Sequence, residues 1–85
     1  MLGITPRAWR AIDDLTEQHD AAAIRVTRSL CGSLEIDLAA GPEPDDTVVW
    51  SHHSVVYVDR SAAPAVDHLV LDLRQGQGSR SFYLR

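Results

Sequence analysis

The 85-residue sequence has no lysine, no asparagine, a single cysteine and no long apolar run. One thiol excludes an internal disulfide and fits a reducing compartment, which points to the cytoplasm. It also restricts metal chemistry. A structural zinc site takes four ligands, usually with a close pair such as C-x-x-C or H-x-x-x-H, and neither spacing occurs. No apolar stretch approaches the roughly 20 residues that span a bilayer, and no basic-then-apolar leader opens the chain, so neither membrane insertion nor secretion is expected. All eight basic residues are arginine, a codon bias rather than a chemical signal. With a formal net charge of −4 and a pI near 5.3, the electrostatic footprint of a nucleic-acid binder is absent.

What is present is ordinary for a globular chain: 45% hydrophobic and 24% charged residues. The length implies one domain over 1–85. Charge is uneven along it. Residues 1–30 balance four Arg against four acids, whereas 31–60 set six acids against Arg60 alone. That acidic middle reads as a solvated loop and strand face.

Thr5-Pro6 reads as an N-cap followed by proline at the first helical position. Ala8, Trp9, Ile12 and Leu15 then recur at helical spacing, with Arg7, Arg10, Asp13, Asp14 and Glu17 on the other face, predicting a helix over 6–19 anchored by Trp9. Beyond Asp20 the period becomes two. Ile24 and Val26 alternate with Arg25 and Thr27, and Leu34, Ile36 and Leu38 with Glu35, Asp37 and Ala39, which marks strands with one buried face. Ser29-Leu30-Cys31-Gly32-Ser33 turns between them. Pro42 and Pro44 make 41–46 a loop. The runs 47–50 and 55–58 form a hairpin closed by Ser51-His52-His53-Ser54. Ser61 is placed to cap a short helical turn over 62–68 that tolerates Pro64. Leu69, Leu71 and Leu73 alternate with Val70, Asp72 and Arg74, and Gly76-Gln77-Gly78 turns into a last strand over 80–84. The order predicts an α+β, β-rich domain of one packed helix, six short, mostly antiparallel strands and a short second helix. The predicted core is Trp9, Ile12, Leu15, Ile24, Val26, Leu34, Ile36, Leu38, Val56, Val58, Leu69 and Leu71.

Three readings stand for Cys31: a reactive thiol in an exposed turn, a metal ligand, or a small half-buried hydrophobe. His19, His52, His53 and His68 read as solvated cap or loop residues. On a strand His52 and His53 would point to opposite faces, and only a bend between them could bring both to one metal. No orienting third group completes a Cys-His nucleophile pair, so no enzyme is expected. Gly76-x-Gly78 precedes a strand rather than a helix, hence a hairpin turn and not a phosphate cradle. Glu43, Asp45 and Asp46 lack calcium-loop spacing and read as solvated acids. Trp50 and Tyr57 read as packing residues. The Val-rich hairpin carrying them leaves an outward apolar strip, which predicts a homodimer.

End to end, the order of elements resembles the HesB/IscA family of A-type iron–sulfur cluster carriers. Leu2-Gly3-Ile4-Thr5-Pro6-Arg7-Ala8 resembles the family's opening strand and helix start. Ile24-Arg25-Val26 followed by Cys31-Gly32 resembles the stretch that carries its first cluster cysteine. Pro44-Asp45-Asp46-Thr47-Val48 resembles its p-x-D-x-v entry to a strand. Val55-Val56-Tyr57-Val58-Asp59, then Ser61, Leu69-Val70-Leu71-Asp72 and Phe82, resemble its later motifs. Two departures stand out. Leu30 and Gly32-Ser33 replace the usual residues around the cysteine, and the C-terminal Cys-x-Cys pair of the carriers has no counterpart before Arg85. The resemblance implies a divergent carrier-like protein, a homodimer with a protein partner in cluster transfer, and Cys31 as the residue facing an iron–sulfur cluster or its metal. With one thiolate against the usual four, such a chain should not hold a cluster alone. The rival reading is a module that keeps the fold and binds a protein partner without a cluster.

Overall fold

The computed structural model describes residues 1–51, 54–76 and 78–85, except for the side chains of Gln75, Ser79 and Arg80. Helix α1 (Pro6–Gln18) begins as the sequence indicates: Thr5 is the N-cap, and its hydroxyl accepts from the Ala8 N–H at 3.3 Å. The helix ends because Asp20 takes a left-handed conformation (φ 51°), which lets the Ala21 N–H reach back to the Thr16 carbonyl at 2.9 Å.

Among the described residues the strands form two sheets. In one, β1 (Gly3–Ile4) lies parallel to β6 (Val70–Gly76), which pairs antiparallel with β7 (Ser79–Leu84). In the other the order is β3-β2-β5-β4, with β2 (Ala23–Arg28), β3 (Leu34–Ala39), β4 (Thr47–Trp50) and β5 (Val55–Val58). The β2–β3 and β4–β5 pairs are antiparallel, while β2 and β5 run parallel. The short helix α2 (Ala63–Val66) joins β5 to β6. The α+β, β-rich expectation therefore holds, with the two-residue β1 added to the six strands read from periodicity. Helix α1 packs against β6 and β2. Ile12, Ile24, Val26, Val56, Val58 and Leu71 form the sealed centre, joined by Leu2 and Val66.

Several expectations need correction. Leu38 is 42% exposed, on β3, the last strand of its sheet. Trp9, Leu15, Leu34, Ile36 and Leu69 sit against the core but are only partly buried. The small residues Ala8, Ala11, Ala23 and Ala62 are sealed instead. Ser61 does not cap α2. Asp59 accepts from both the backbone N–H and the hydroxyl of Ser61, and its carbonyl takes the N–H groups of Ala62 and Ala63.

The larger departure is that alternation fails where charge is buried. Ala23, Ile24, Arg25 and Val26 are all buried in succession. The Arg25 guanidinium is roofed by the loop before β4, donating to both carboxylate oxygens of Asp46 at 2.7 Å and to Asp59 at 2.8 Å, with Glu43 also in contact. Asp72 on β6, 1% exposed, has the mirror-image role of a buried anion. It accepts from Thr5 at 2.8 Å, from Arg7 at 2.7 and 2.9 Å and from the Leu73 N–H at 2.8 Å, with Tyr83 and Arg85 more distant at 3.3 Å. A buried charge is tolerated only when paired and hydrogen-bonded, and both are. Among the described residues no buried side-chain polar atom lacks a partner. These two clusters pin the 41–46 loop to β2 and the start of α1 to β6.

Candidate functional site

Five residues connect β2 to β3, and their backbone closes on itself. The Ser29 N–H donates to the Ser33 carbonyl at 2.8 Å and the Gly32 N–H to the Ser29 carbonyl at 2.9 Å. Gly32 takes φ +89°, a conformation that side chains avoid. This turn lifts Cys31 out of the sheet. The thiol is exposed, and its neighbour Leu30 is fully exposed. The reading of Cys31 as a half-buried hydrophobe is therefore set aside.

Two serines flank the sulfur. Ser29 Oγ lies 3.1 Å and Ser33 Oγ 3.8 Å from Sγ, while the Ser33 N–H holds Ser29 Oγ at 3.1 Å. Hydrogen bonding from Ser29 first, then Ser33, favours the thiolate and moves the Cys31 pKa below the ordinary thiol value. The thiolate is the form that attacks electrophiles and ligates metals. The sequence reading passed over these serines, although the spacing S-x-C-x-S was there to be noticed.

The other candidates do not gather here. His19 is the exposed C-cap of α1, and His68 is exposed with Asp67 at 3.9 Å. His52 and His53 lie outside the described residues. Among the described residues no group of three His, Cys, Asp or Glu side chains is placed to hold a metal ion. Cys31 thus belongs to no such group among the described residues. The solvated-acid reading holds for Asp45, which is exposed; Glu43 is exposed but ion-paired to Arg25, and the reading fails for Asp46, whose side chain is 2% exposed against Arg25. Tyr57 packs as expected, whereas Trp50 projects from the edge strand β4, 76% exposed, so its reading as a packing residue is corrected. The outward apolar strip of the hairpin narrows accordingly to Trp50. Gly76 pairs with Ser79 at the end of the β6–β7 hairpin, and Gly78 lies in its turn at φ +76°.

This turn and these sheets can be set beside known proteins. A crystal structure of IscA with the [2Fe-2S] cluster superposes with a TM-score of 0.74 at 26% identity, covering 100% of this chain and 84% of that one. Escherichia coli SufA, involved in biosynthesis of iron–sulfur clusters, superposes with a TM-score of 0.88 at 20% identity, over 99% of this chain and 83% of that one. The chain has a HesB/IscA-like fold. In sequence it is 31% identical over 65 residues to protein HesB of Nostoc sp., a match that takes in 74% of this chain. It spans about half the length of that curated relative, 53%. No protein-family model matches the sequence. No helix among the described residues is long and apolar enough to cross a membrane.

Proposed function

We propose that this chain is a divergent relative of the iron–sulfur cluster carriers, that it works as a cytoplasmic carrier-like protein rather than an enzyme, and that Cys31 is its cluster-facing residue. The observation that carries this reading is the exposed Cys31 thiol, with its lowered pKa, on the β2–β3 turn of a HesB/IscA-like fold. The donor set of one chain does not fit a cluster. Iron–sulfur clusters are commonly held by four thiolates, and each copy brings one. A homodimer would bring two, and an outside thiol or a protein partner would complete the set. The cluster is then cargo shared with that partner.

Anaerobic reconstitution with iron and sulfide, followed by absorbance and gel filtration, tests the reading. The chain alone should lose iron and sulfide on the column. With glutathione present it should retain them, and Cys31→Ser should abolish that retention. Retention without added thiol would overturn the ligand count, and retention in the Cys31→Ser variant would overturn the site.

A further inference from the structure

An open groove of about 530 Å³ runs between the free borders of the two sheets, lined by Leu15, Leu34, Ile36, Asp37, Leu38 and Phe82. One bank is β3, which pairs with β2 alone among the described residues, and the other is β7, which pairs with β6 alone. The outer backbone groups of β3 are therefore free to pair with another strand, an arrangement that proteins normally blunt or cover. The floor beneath is apolar and only partly buried.

The chemistry of β3 decides what fits. It reads Leu-Glu-Ile-Asp-Leu-Ala, so the apolar residues Leu34, Ile36 and Leu38 share one face, and Glu35 and Asp37 are exposed on the other. Neither acid has an ion-pair partner among the described residues. Arg25 stands opposite Asp37 in the ladder, but its guanidinium goes to Asp46, Asp59 and Glu43. Directly opposed residues of paired strands share a face. A second copy of β3 would therefore meet the first either acid against acid or acid against apolar, in every antiparallel register. Self-pairing along this border is disfavoured, and a strand of complementary charge is favoured.

We propose that the groove takes an extended segment of a partner protein, alternating apolar residues with Lys or Arg, which adds to β3 as a fifth strand of its sheet. The apolar side chains would lie over Ile36 and Leu38 toward Phe82, and the cations would pair with Glu35 and Asp37. This is recognition by strand addition, with backbone bonds supplying affinity and the alternation supplying selectivity. It goes beyond the cluster reading and does not use Cys31.

The test uses two labelled octapeptides, one alternating valine with lysine and one alternating valine with glutamate, titrated against the full chain by fluorescence anisotropy and amide chemical shifts. The lysine peptide should bind at least about fivefold more tightly, as two cross-strand ion pairs imply. It should shift the amides of β3 together with Leu15 and Phe82. The charge-reversed variant E35K/D37K should invert the preference while its circular dichroism and thermal midpoint confirm folding. Equal binding of the two peptides, no binding up to about 1 mM, shifts confined to other strands, or an unchanged preference in E35K/D37K would each overturn the proposal. So would self-association of the chain that protects the β3 amides from exchange, because the border would then belong to a second copy.

Discussion

Arg25 holds both carboxylate oxygens of Asp46 at 2.7 Å across 21 residues of sequence, from between Ile24 and Val26, which are sealed in the core. The bidentate geometry is what arginine offers and lysine does not. The loop carrying Asp46 contains two prolines and, among the described residues, belongs to no sheet, so this ion pair and its Glu43 contact are what fasten it to the strands beneath.

Breaking that fastening should be costly. Arg25→Ala leaves the Asp46 carboxylate buried without its cation, and truncating one partner of a buried pair typically costs about 3–5 kcal/mol. Urea denaturation should show that loss. Arg25→Lys should recover only part of it, because an ammonium cannot span both Asp46 oxygens. Full recovery by lysine would mean that charge alone, and not the fork geometry, carries the contact.

Acid should loosen the contacts made by Asp59 and Asp72. Asp59 is held down to about 2 by the Ser61 hydroxyl and then by Arg25, and Asp72 lies well below the usual carboxylate range because Arg7 binds it. A carboxylate whose pKa is lower in the folded state stabilises the fold at neutral pH, and that contribution fades as pH falls. The urea midpoint should therefore be level above about pH 5 and decline from about pH 4 toward pH 2, as protons bind first to the unfolded chain. Asp59→Asn should be less stable at neutral pH and show a shallower decline. A midpoint that stays level down to about pH 2 would contradict the assignment.

These charges also explain where the sequence was legible and where it was not. The Thr5-Pro6 helix start, the 47–58 hairpin and the closing hairpin rest on local rules of capping and turn chemistry, and the structure follows them. Period-two reading assigns every second residue of a strand to solvent, so it misplaces Arg25 and Asp72, whose partners lie in other elements. Asp46 is 21 residues from Arg25, and Arg7 is 65 from Asp72. No local pattern contains that information. Arg25, Asp46, Asp59 and Asp72 all lie in stretches that carry the resemblance, but matching stretches name no pairing between them. The turn bearing Cys31 was legible as a turn, but the exposure of its thiol depends on how β2 and β3 pair.

The two tryptophans of the chain make a direct test of packing. Trp9 lies partly buried against the core and Trp50 is 76% exposed on a border strand. Trp50→Ala should change stability by no more than about 0.5 kcal/mol, whereas Ile12→Ala, at a fully sealed position, should cost about 2–5 kcal/mol. Acrylamide should quench Trp50 in the Trp9→Phe variant far more strongly than Trp9 in the Trp50→Phe variant. If Trp50 proves shielded at high protein concentration but not at low, it is an anchor of the homodimer, since exposed tryptophan is a favoured interface residue.

The last prediction concerns the thiol. Alkylation by iodoacetamide proceeds through the thiolate, so its rate against pH reports the Cys31 pKa. The midpoint should fall below that of a free thiol, because the hydroxyls of Ser29 and Ser33 stabilise the anion. Ser29→Ala removes the nearer hydroxyl, at 3.1 Å, and also the acceptor for the Ser33 N–H. It should move the midpoint up and slow alkylation at neutral pH, at a stability cost within about 1 kcal/mol, since the lost bonds are exposed to water. Ser33→Ala, whose hydroxyl stands off at 3.8 Å, should have the smaller effect. That ordering separates hydroxyl stabilisation from a general effect of the turn. If both variants slow alkylation equally, or neither does, the serines only shape the backbone and the low thiol pKa has another origin.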